Sequence, residues 1–293
     1  MNGIININKP LGITSHDVVG RLRRILGIKK IGHTGTLDPD ASGVLPMCIG
    51  RATKTADMLT AQDKQYIAEV TLGSATTTLD ASGEVTEIAN VNVTEEDILN
   101  AVLGFIGDVV QIPPMFSAIK VDGKRLYELA REGIEVERKP RTVKIDSIEI
   151  LETDIANKKF SMKVDCSKGT YIRTLCDDIG RSLGCFAHMS GLVRTRSGRF
   201  DIKDSYTLSE VEQMAAAGDM SFLVPIDKVF EELPRLIISS RRARLMCNGV
   251  KISAQGTTDG ETYRVYDEDG RFLTISEAEE GRLKILKTFY QIN

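Results

Sequence analysis

The sequence lacks the long apolar runs and cysteine pairs that mark membrane and secreted proteins. No window of it approaches the ~18 uninterrupted apolar residues of a transmembrane helix, and residues 1–10 have no basic segment typical of a signal peptide. The five cysteines form no Cys-x-x-Cys pair, and the three histidines are scattered, which argues against disulfides or a metal site. We therefore expect buried thiols in a reducing cytoplasm, with no membrane and no metal.

Aromatic residues are scarce: tryptophan is absent, and the aromatic fraction is 5%. Sugar sites usually offer broad aromatic surfaces, and a glycosidase needs two carboxylates at a set separation. A hydrolase using Asp38 and Asp40 as that pair is therefore a minor alternative. The Gly-x-x-x-x-Gly-Lys-Ser/Thr phosphate loop and the dinucleotide fingerprint are also missing.

Net charge is −3, which taken alone argues against a nucleic-acid partner, but the charges are segregated along the chain. Residues 158–203 hold ten Lys/Arg against four Asp/Glu, and residues 1–51 hold seven against three. Residues 52–110 are acidic, with ten Asp/Glu against two Lys/Arg. Because the distribution of charge matters more than its total for binding a polyanion, the basic segments are candidate RNA surfaces. The alternative is that they are ordinary solvated faces.

Residues 1–234 contain both helical and strand patterns. Helices are expected after caps at Thr14 or Ser15 and at Thr94, the second with a buried stripe that reaches Ile106. Strands are expected at Ile4–Asn8, 66–73, 143–151 and 159–166.

From about residue 235 onward, the residue pattern becomes that of short strands. Two strand-like runs flank Asp267-Glu268-Asp269-Gly270, a strong hairpin signal. We interpret residues 1–234 as one domain and residues 235–293 as a small β-rich domain. Residues 114–141 begin at a Pro-Pro pair, contain a short helical pattern, and look like an excursion from a sheet.

Two segments could carry chemistry. Gly32–Gly43 is a shaped loop with three glycines, and Pro39 restricts the backbone of Asp38. A carboxylate on a stiff loop suits catalysis, although Asp is also a common turn residue. Cys166–Leu175 runs from a strand through Gly169 into a helix that includes Arg173, which would suit a phosphate. A plain surface junction is the alternative there.

Together these segments resemble the TruB family of tRNA pseudouridine-55 synthases. The ordered matches run through nearly the whole chain: Asn8-Lys9-Pro10-x-Gly12-x-Thr14-Ser15, Gly32-His33-Thr34-Gly35-Thr36-Leu37-Asp38-Pro39, Lys64-x-Tyr66-x-Ala68, Gln111-x-Pro113-Pro114-x-Phe116-Ser117-Ala118, Cys166-Ser167-Lys168-Gly169-Thr170-Tyr171-Ile172-Arg173 and Ala187-His188-x-x-x-Leu192-x-Arg194.

The resemblance implies the α+β pseudouridine-synthase fold: a mixed, mostly antiparallel sheet with flanking helices and a thumb-like insertion, here about residues 114–141. It also implies a PUA-like RNA-binding domain at residues 235–293, where the match is weaker. The implied activity is isomerisation of a uridine in the T arm (position 55) of tRNA. This requires no cofactor and no metal, because nothing is oxidised and no group is donated. We expect a cytoplasmic monomer with no obligate protein partner.

The resemblance also assigns roles to residues of this chain. Asp38 matches the catalytic aspartate, Arg173 the arginine that pairs with it, and Tyr66 the tyrosine that stacks on the target uracil. The remaining RNA-contacting positions are matched by His33, Tyr171 and Leu192. Lys9 and Pro10 match a motif associated with structural support.

RNA phosphates are expected to meet cations of the insertion and of the pocket rim. The candidates are Lys120, Lys124, Arg125, Arg131, Arg138, Lys139, Arg141, Lys168 and Arg194. Two other interpretations stay open. A non-catalytic RNA-binding protein would not need the combination of Asp38, Tyr66 and Arg173, and the guide-RNA-dependent relatives are expected to carry long basic tails.

Overall fold

The computed structural model describes residues 1–121 and 123–290, so Asp122 of the expected insertion and residues 291–293 of the expected C-terminal domain lie outside the described residues. The strands in that part of the chain are β1 (Gly3–Lys9), β2 (Ile31–His33), β3 (Ala41–Ile49), β4 (Lys64–Leu72), β5 (Ser74–Thr76), β6 (Val85–Ile88), β7 (Gly107–Gln111), β8 (Lys120–Val121), β9 (Lys124–Arg125), β10 (Arg141–Asp154), β11 (Lys159–Cys166), β12 (Ala187–Ser197), β13 (Phe200–Asp201), β14 (Arg235–Ile238), β15 (Ile252–Ser253), β16 (Thr262–Asp267), β17 (Phe272–Glu279) and β18 (Arg282–Thr288).

The helices are α1 (Ser15–Leu26), α2 (Ala56–Thr60), α3 (Glu95–Leu103), α4 (Leu126–Arg131), α5 (Ile172–Ser182), α6 (Leu208–Ala216), α7 (Ile226–Val229) and α8 (Ser240–Cys247), with 3₁₀ turns at Gly50–Thr55 and Ile202–Asp204. Within the described residues, no helix is long and apolar enough to cross a membrane.

The large sheet has the strand order β1-β3-β12-β4-β11-β10-β7, with β2 added to β3 and β13 to β12. The β3–β12 pair is parallel, and its neighbours in the sheet are antiparallel. This is the mixed, mostly antiparallel sheet that the sequence predicted, so the expected fold class is confirmed.

Helices cover the sheet in two groups. The group of α3 and α5 packs on β4, β10 and β11, and every second side chain of β11, from Phe160 to Cys166, is apolar and buried. The group of α1 and α6 packs on β1 and β3. The two hydrophobic clusters meet at Tyr66 of β4 and Leu192 of β12, which contact both of them.

Local signals explain where α1 begins and ends. The Thr14 side chain accepts a hydrogen bond from the Asp17 amide, and Asp17 accepts one from the Thr14 amide, which forms a capping box. Gly27 ends the helix in the left-handed conformation that glycine adopts without strain. Thr94 and Asp97 cap α3 in the same way.

The buried stripe predicted for α3 was wrong at its end. The helix stops at Leu103, where Gly104 follows, and the chain turns into β7. Ile106 therefore lies outside the helix and is 41% exposed.

The C-terminal segment forms a five-stranded sheet of order β14-β16-β17-β18-β15, which agrees with the expected β-rich character. It packs against the large sheet through Ile275 and Phe289, which join a cluster with Val44 and Cys48 of β3. The Arg264 guanidinium donates hydrogen bonds to backbone carbonyls of the segment that precedes β14. The domain boundary at residue 234/235 stays a prediction.

The chain leaves the sheet after β7 and returns at β10, where Arg141 pairs with Gln111. Between these two residues lie the β8–β9 hairpin and α4. The excursion inferred from the sequence thus connects two neighbouring antiparallel strands. Its bounds at residues 114 and 141 stay a prediction.

Gly43, the one glycine of β3, should be hard to replace. It has a φ of 102°, and a Cβ there would lie 2.2 Å from the carbonyl oxygen of Arg194. Gly43→Ala should cost about 1–3 kcal/mol more in unfolding free energy than Gly27→Ala, because Gly27 has a φ of 65° but no atom within 4 Å of an added Cβ. Urea denaturation of both variants measures the difference, and equal losses would contradict the packing argument.

Candidate active site

The loop between β2 and β3 carries Asp38 and is fixed on both sides of it. The Ser15 hydroxyl donates to the carbonyl oxygen of Leu37 at 2.9 Å and accepts from the Leu37 amide at 2.8 Å. The Ala41 amide donates to the carbonyl oxygen of Asp38 at 3.1 Å. The first residue of α1 therefore sets the position of the catalytic candidate.

A buried lysine ties the N-terminal loop to the same place. Lys9 Nζ donates to the carbonyl oxygens of Pro10 at 2.9 Å, Ile13 at 2.7 Å and Pro39 at 3.5 Å. Burial lowers the pKa of Lys9 to about 8, against the opposing effect of the Asp38 and Asp40 carboxylates. Lys9 is thus held inside the protein by backbone carbonyls, as the structural role implied by the resemblance requires.

Arg173, at the start of α5, lies between two carboxylates. Its Nη2 is 2.9 Å from Asp38 Oδ2, and its Nη1 is 3.3 Å from Asp80 Oδ2. Nη2 also donates to the carbonyl oxygen of Phe116 at 2.8 Å. The Arg173 side chain is 9% exposed and that of Asp38 is 46% exposed. The cation is therefore enclosed by the protein, while Asp38 stays open to a ligand.

Asp80 is the site residue that the sequence reasoning missed. Its Oδ1 accepts from the hydroxyl of Thr78 at 2.6 Å and from the hydroxyl and amide of Ser82 at 2.6 and 3.1 Å. These bonds fix the carboxylate that holds Arg173 Nη1. The sequence signal at Asp80 was a local turn pattern, and nothing in it showed a partner at residue 173.

Tyr66 and Leu192 lie on neighbouring strands at the seam between the two hydrophobic clusters. Leu192 faces Ala68 across the β4–β12 pair, and Arg194 faces Tyr66. Burial raises the pKa of the Tyr66 hydroxyl; the Arg194 guanidinium opposes this rise and the Asp38 carboxylate adds to it. Tyr66, Arg194 and Asp38 are thus close enough to interact electrostatically.

The other two predicted contact residues stand at the edges of this group. Tyr171 precedes α5, and the Gln111 side chain bonds to both its amide (3.0 Å) and its carbonyl (3.2 Å). His33 ends β2, and burial lowers its pKa. Its Nδ1 is buried and finds no hydrogen-bond partner in the described part of the chain.

The two cations expected near the pocket, Lys168 and Arg194, differ in their exposure to solvent. Lys168 is exposed. Arg194 is only 1% exposed, so the expectation that it meets a phosphate was wrong: a guanidinium enclosed by β3, β4 and the Asp38 loop cannot reach one. Within residues 1–121 and 123–290, no group of three His, Cys, Asp or Glu side chains could hold a metal ion.

Three family models match the chain. The N-terminal domain of the TruB family pseudouridylate synthases matches residues 23–172. The tRNA pseudouridylate synthase B C-terminal domain matches residues 173–231, and the pseudouridine synthase II TruB C-terminal model matches residues 234–284.

Curated relatives and solved structures agree with these matches. The tRNA pseudouridine synthase B of Clostridium kluyveri is 44% identical over 99% of this chain and 100% of its own length. The enzyme of the same name from Listeria welshimeri is 51% identical over 85% of this chain and 84% of its own. A chain from the crystal structure of a Cbf5-Nop10-Gar1 complex superposes with a TM-score of 0.75 at 28% identity, covering 99% of this chain and 85% of that one.

The family models, the named relatives and the fold together make this chain an enzyme of the pseudouridine-synthase class. The chain belongs to the TruB family of pseudouridylate synthases.

Arg173→Lys should not be a conservative change. A lysine offers one point charge in place of a planar fork, so it cannot serve Asp38, Asp80 and the Phe116 carbonyl together. We expect single-turnover pseudouridine formation to fall by about 10²-fold, with RNA affinity changed by less than about tenfold.

The matched control is Arg181→Lys, on the same helix, where the guanidinium pairs with Asp177 and Glu87 and is about half exposed. That variant should keep its rate. An unchanged rate in Arg173→Lys would show that the ion pair with Asp38 is not part of the catalytic machinery.

Proposed function

We propose that this protein isomerises the uridine at position 55 in the T arm of tRNA to pseudouridine. The observation that carries the proposal is the half-exposed Asp38 carboxylate held on enclosed Arg173. The names of its full-length relatives, which are tRNA pseudouridine synthases, support tRNA as the substrate. The choice of the T arm rests on the family resemblance.

In this proposal Asp38 acts on the target nucleotide as nucleophile or base, and Arg173 stabilises its ionised form. A guanidinium suits this task because it stays charged when it is enclosed. Arg173 contacts Oδ2 of Asp38, and we assign the reaction to Oδ1. The uracil is detached, turned and reattached through carbon, so no electron acceptor or group donor is required.

The remaining residues would receive a flipped base. Extruding a uridine from a folded arm costs roughly a few kcal/mol, and stacking on an aromatic face such as Tyr66 returns about 1–3 kcal/mol. Leu192 lies beside Tyr66 at the seam of the two clusters and would hold the base against it. His33 and Tyr171 would contact the flanking RNA.

We also propose that the protein acts as a monomer, without an obligate protein partner, in the cytoplasm. Asp38, Tyr66 and Arg173 all come from one chain and meet without a second copy. Four of the five cysteines are buried and unpaired thiols, which suits a reducing compartment.

Asp38→Asn should abolish pseudouridine formation while leaving tRNA binding nearly intact. The change keeps the shape of the side chain and removes its charge, so we expect no measurable tritium release from tRNA labelled at C5 of uridine. Affinity for tRNA should change by less than about tenfold.

Asp40→Asn is the matched control, because Asp40 shares the loop and is exposed without an ion pair among the described residues. It should retain the parent rate. Full activity of Asp38→Asn would remove the proposed function, and inactivity of both variants would point to damage of the loop rather than to lost chemistry.

Part of the basic charge of the insertion is neutralised within the protein. Arg138 pairs with Glu135 at 3.1 Å, and Lys124 pairs with Glu132 at 3.6 Å. Lys139 and Arg141 are exposed and have no carboxylate partner in the described chain. Lys139 and Arg141 are therefore available for phosphate contacts, as are Lys120, Arg125 and Arg131, which are also exposed and form no ion pair among the described residues.

Neutralising Arg138, Lys139 and Arg141 together should weaken tRNA binding and flatten the slope of log K against log salt. We expect a change of about 1.4–1.8, the effect of two phosphate contacts. Glu135→Gln is the opposite control, because it frees Arg138 and should steepen the slope. A steep slope that survives the triple change would place the electrostatic contact elsewhere, for instance on the exposed cations at the end of α1 (Arg21, Arg23 and Arg24).

A further inference from the structure

Arg194 is an enclosed cation that no role considered so far explains. It is 1% exposed and is among the largest fully buried side chains. Its Nε donates to the carbonyl oxygen of Val44 at 2.7 Å, and its Nη2 donates to that of Gly35 at 3.2 Å. Within the described residues it has no ion-pair partner. Enclosing a charge without a carboxylate partner is costly, so its retention calls for a reason.

The backbone shows how closely this residue is built into the active site. Arg194 faces Gly43 across the parallel β3–β12 pair and Tyr66 across the antiparallel β4–β12 pair. The strand approaches Gly43 so closely that a Cβ there would meet the Arg194 carbonyl. One residue of β12 thus contacts the strand after the Asp38 loop on one side and the strand of Tyr66 on the other.

The Arg194 side chain then binds backbone on both sides of Asp38. Gly35 precedes Asp38 by three residues, and Val44 follows it by six. The two hydrogen bonds of the guanidinium therefore span the segment that carries the carboxylate. A fork with donors in fixed directions can hold two carbonyls at once, and a lysine ammonium on a flexible stem holds such a pair less well.

We propose that Arg194 is a positioning residue for catalysis, which fixes the Asp38 loop relative to Tyr66. Arg194 acts through the Asp38 loop and Tyr66 and does not touch the RNA. The inference rests on the proposed function only for its activity readout, because the contacts that it concerns belong to the free protein.

The test compares Arg194→Lys and Arg194→Met with Arg196→Met. Arg196 is the matched control: it lies two residues further along β12, and its guanidinium pairs with Asp165 at 2.6 Å in a partly exposed position. A misplacement of about 1 Å can cost about 10²-fold in rate. We expect the single-turnover rate to fall by about 10²-fold in Arg194→Met and by about tenfold in Arg194→Lys. The loss is smaller in Arg194→Lys because the charge remains, although the fork is lost. Arg196→Met should keep its rate, and tRNA affinity should stay within about threefold in all three.

A second readout separates positioning from general support of the fold. In protein containing 3-fluorotyrosine, the ¹⁹F resonance of Tyr66 is identified by its absence in Tyr66→Phe. In RNA-free protein this resonance should move in both Arg194 variants and stay in place in Arg196→Met. Since it requires no activity, it tests the inference even if the substrate is not tRNA.

Three results would overturn the proposal. One is a single-turnover rate of Arg194→Lys equal to that of the parent protein. This result would overturn the proposal even if Arg194→Met does not fold. Another is a loss of tRNA affinity above about tenfold with an unchanged bound-state rate, which would make Arg194 an RNA contact after all. The third is a Tyr66 resonance that is insensitive to Arg194.

Discussion

The guanidinium of Arg173 joins three parts of the chain that are far apart in sequence: the Asp38 loop, the turn at Asp80 and the root of the insertion at Phe116. An enclosed cation left without polar partners is strongly unfavourable, because its lost hydration is not replaced. These segments must therefore come together for Arg173 to be accommodated. The same bonds make the position of Asp38 depend on the turn and on the insertion, so the chemistry of the site is set by tertiary structure.

The interior around Asp38 also holds cations whose partners are backbone carbonyls. Lys9 bonds to Pro10 and Ile13, and Arg194 bonds to Gly35 and Val44. Both side chains hold loop backbone through these hydrogen bonds. A loop without regular hydrogen bonding thereby gains fixed geometry, which a positioned catalyst requires.

Much of the fold could be predicted from local signals. Thr14 and Gly27 marked the ends of α1, and alternating residues marked the β10–β11 pair, because capping and sidedness act over a few residues. The end of α3 was misplaced because Phe105 and Ile106 continue the apolar pattern past Gly104. The parallel pairing of β3 with β12 joins residues about 150 apart, and no local pattern encodes it.

For the site, motifs pointed to Asp38, Tyr66 and Arg173, and the structure places Arg173 Nη2 2.9 Å from Asp38 Oδ2; the roles of the three residues stay predictions. Asp80 was missed because its signal is that of a turn, and Arg194 was misjudged because an arginine in a basic segment gives no sign of being enclosed. Both errors have one physical origin: the burial and the partner of a charged side chain are set by strands that meet only in the folded chain.

We have proposed that the Asp38 site acts on one uridine of the T arm. Incubating the full chain with an unmodified tRNA transcript and mapping pseudouridine at single-nucleotide resolution tests this. We expect one new pseudouridine, at position 55, which does not form when Asp38→Asn replaces the parent protein. Pseudouridine at another position, or none in any transcript while the protein binds tRNA, would contradict it.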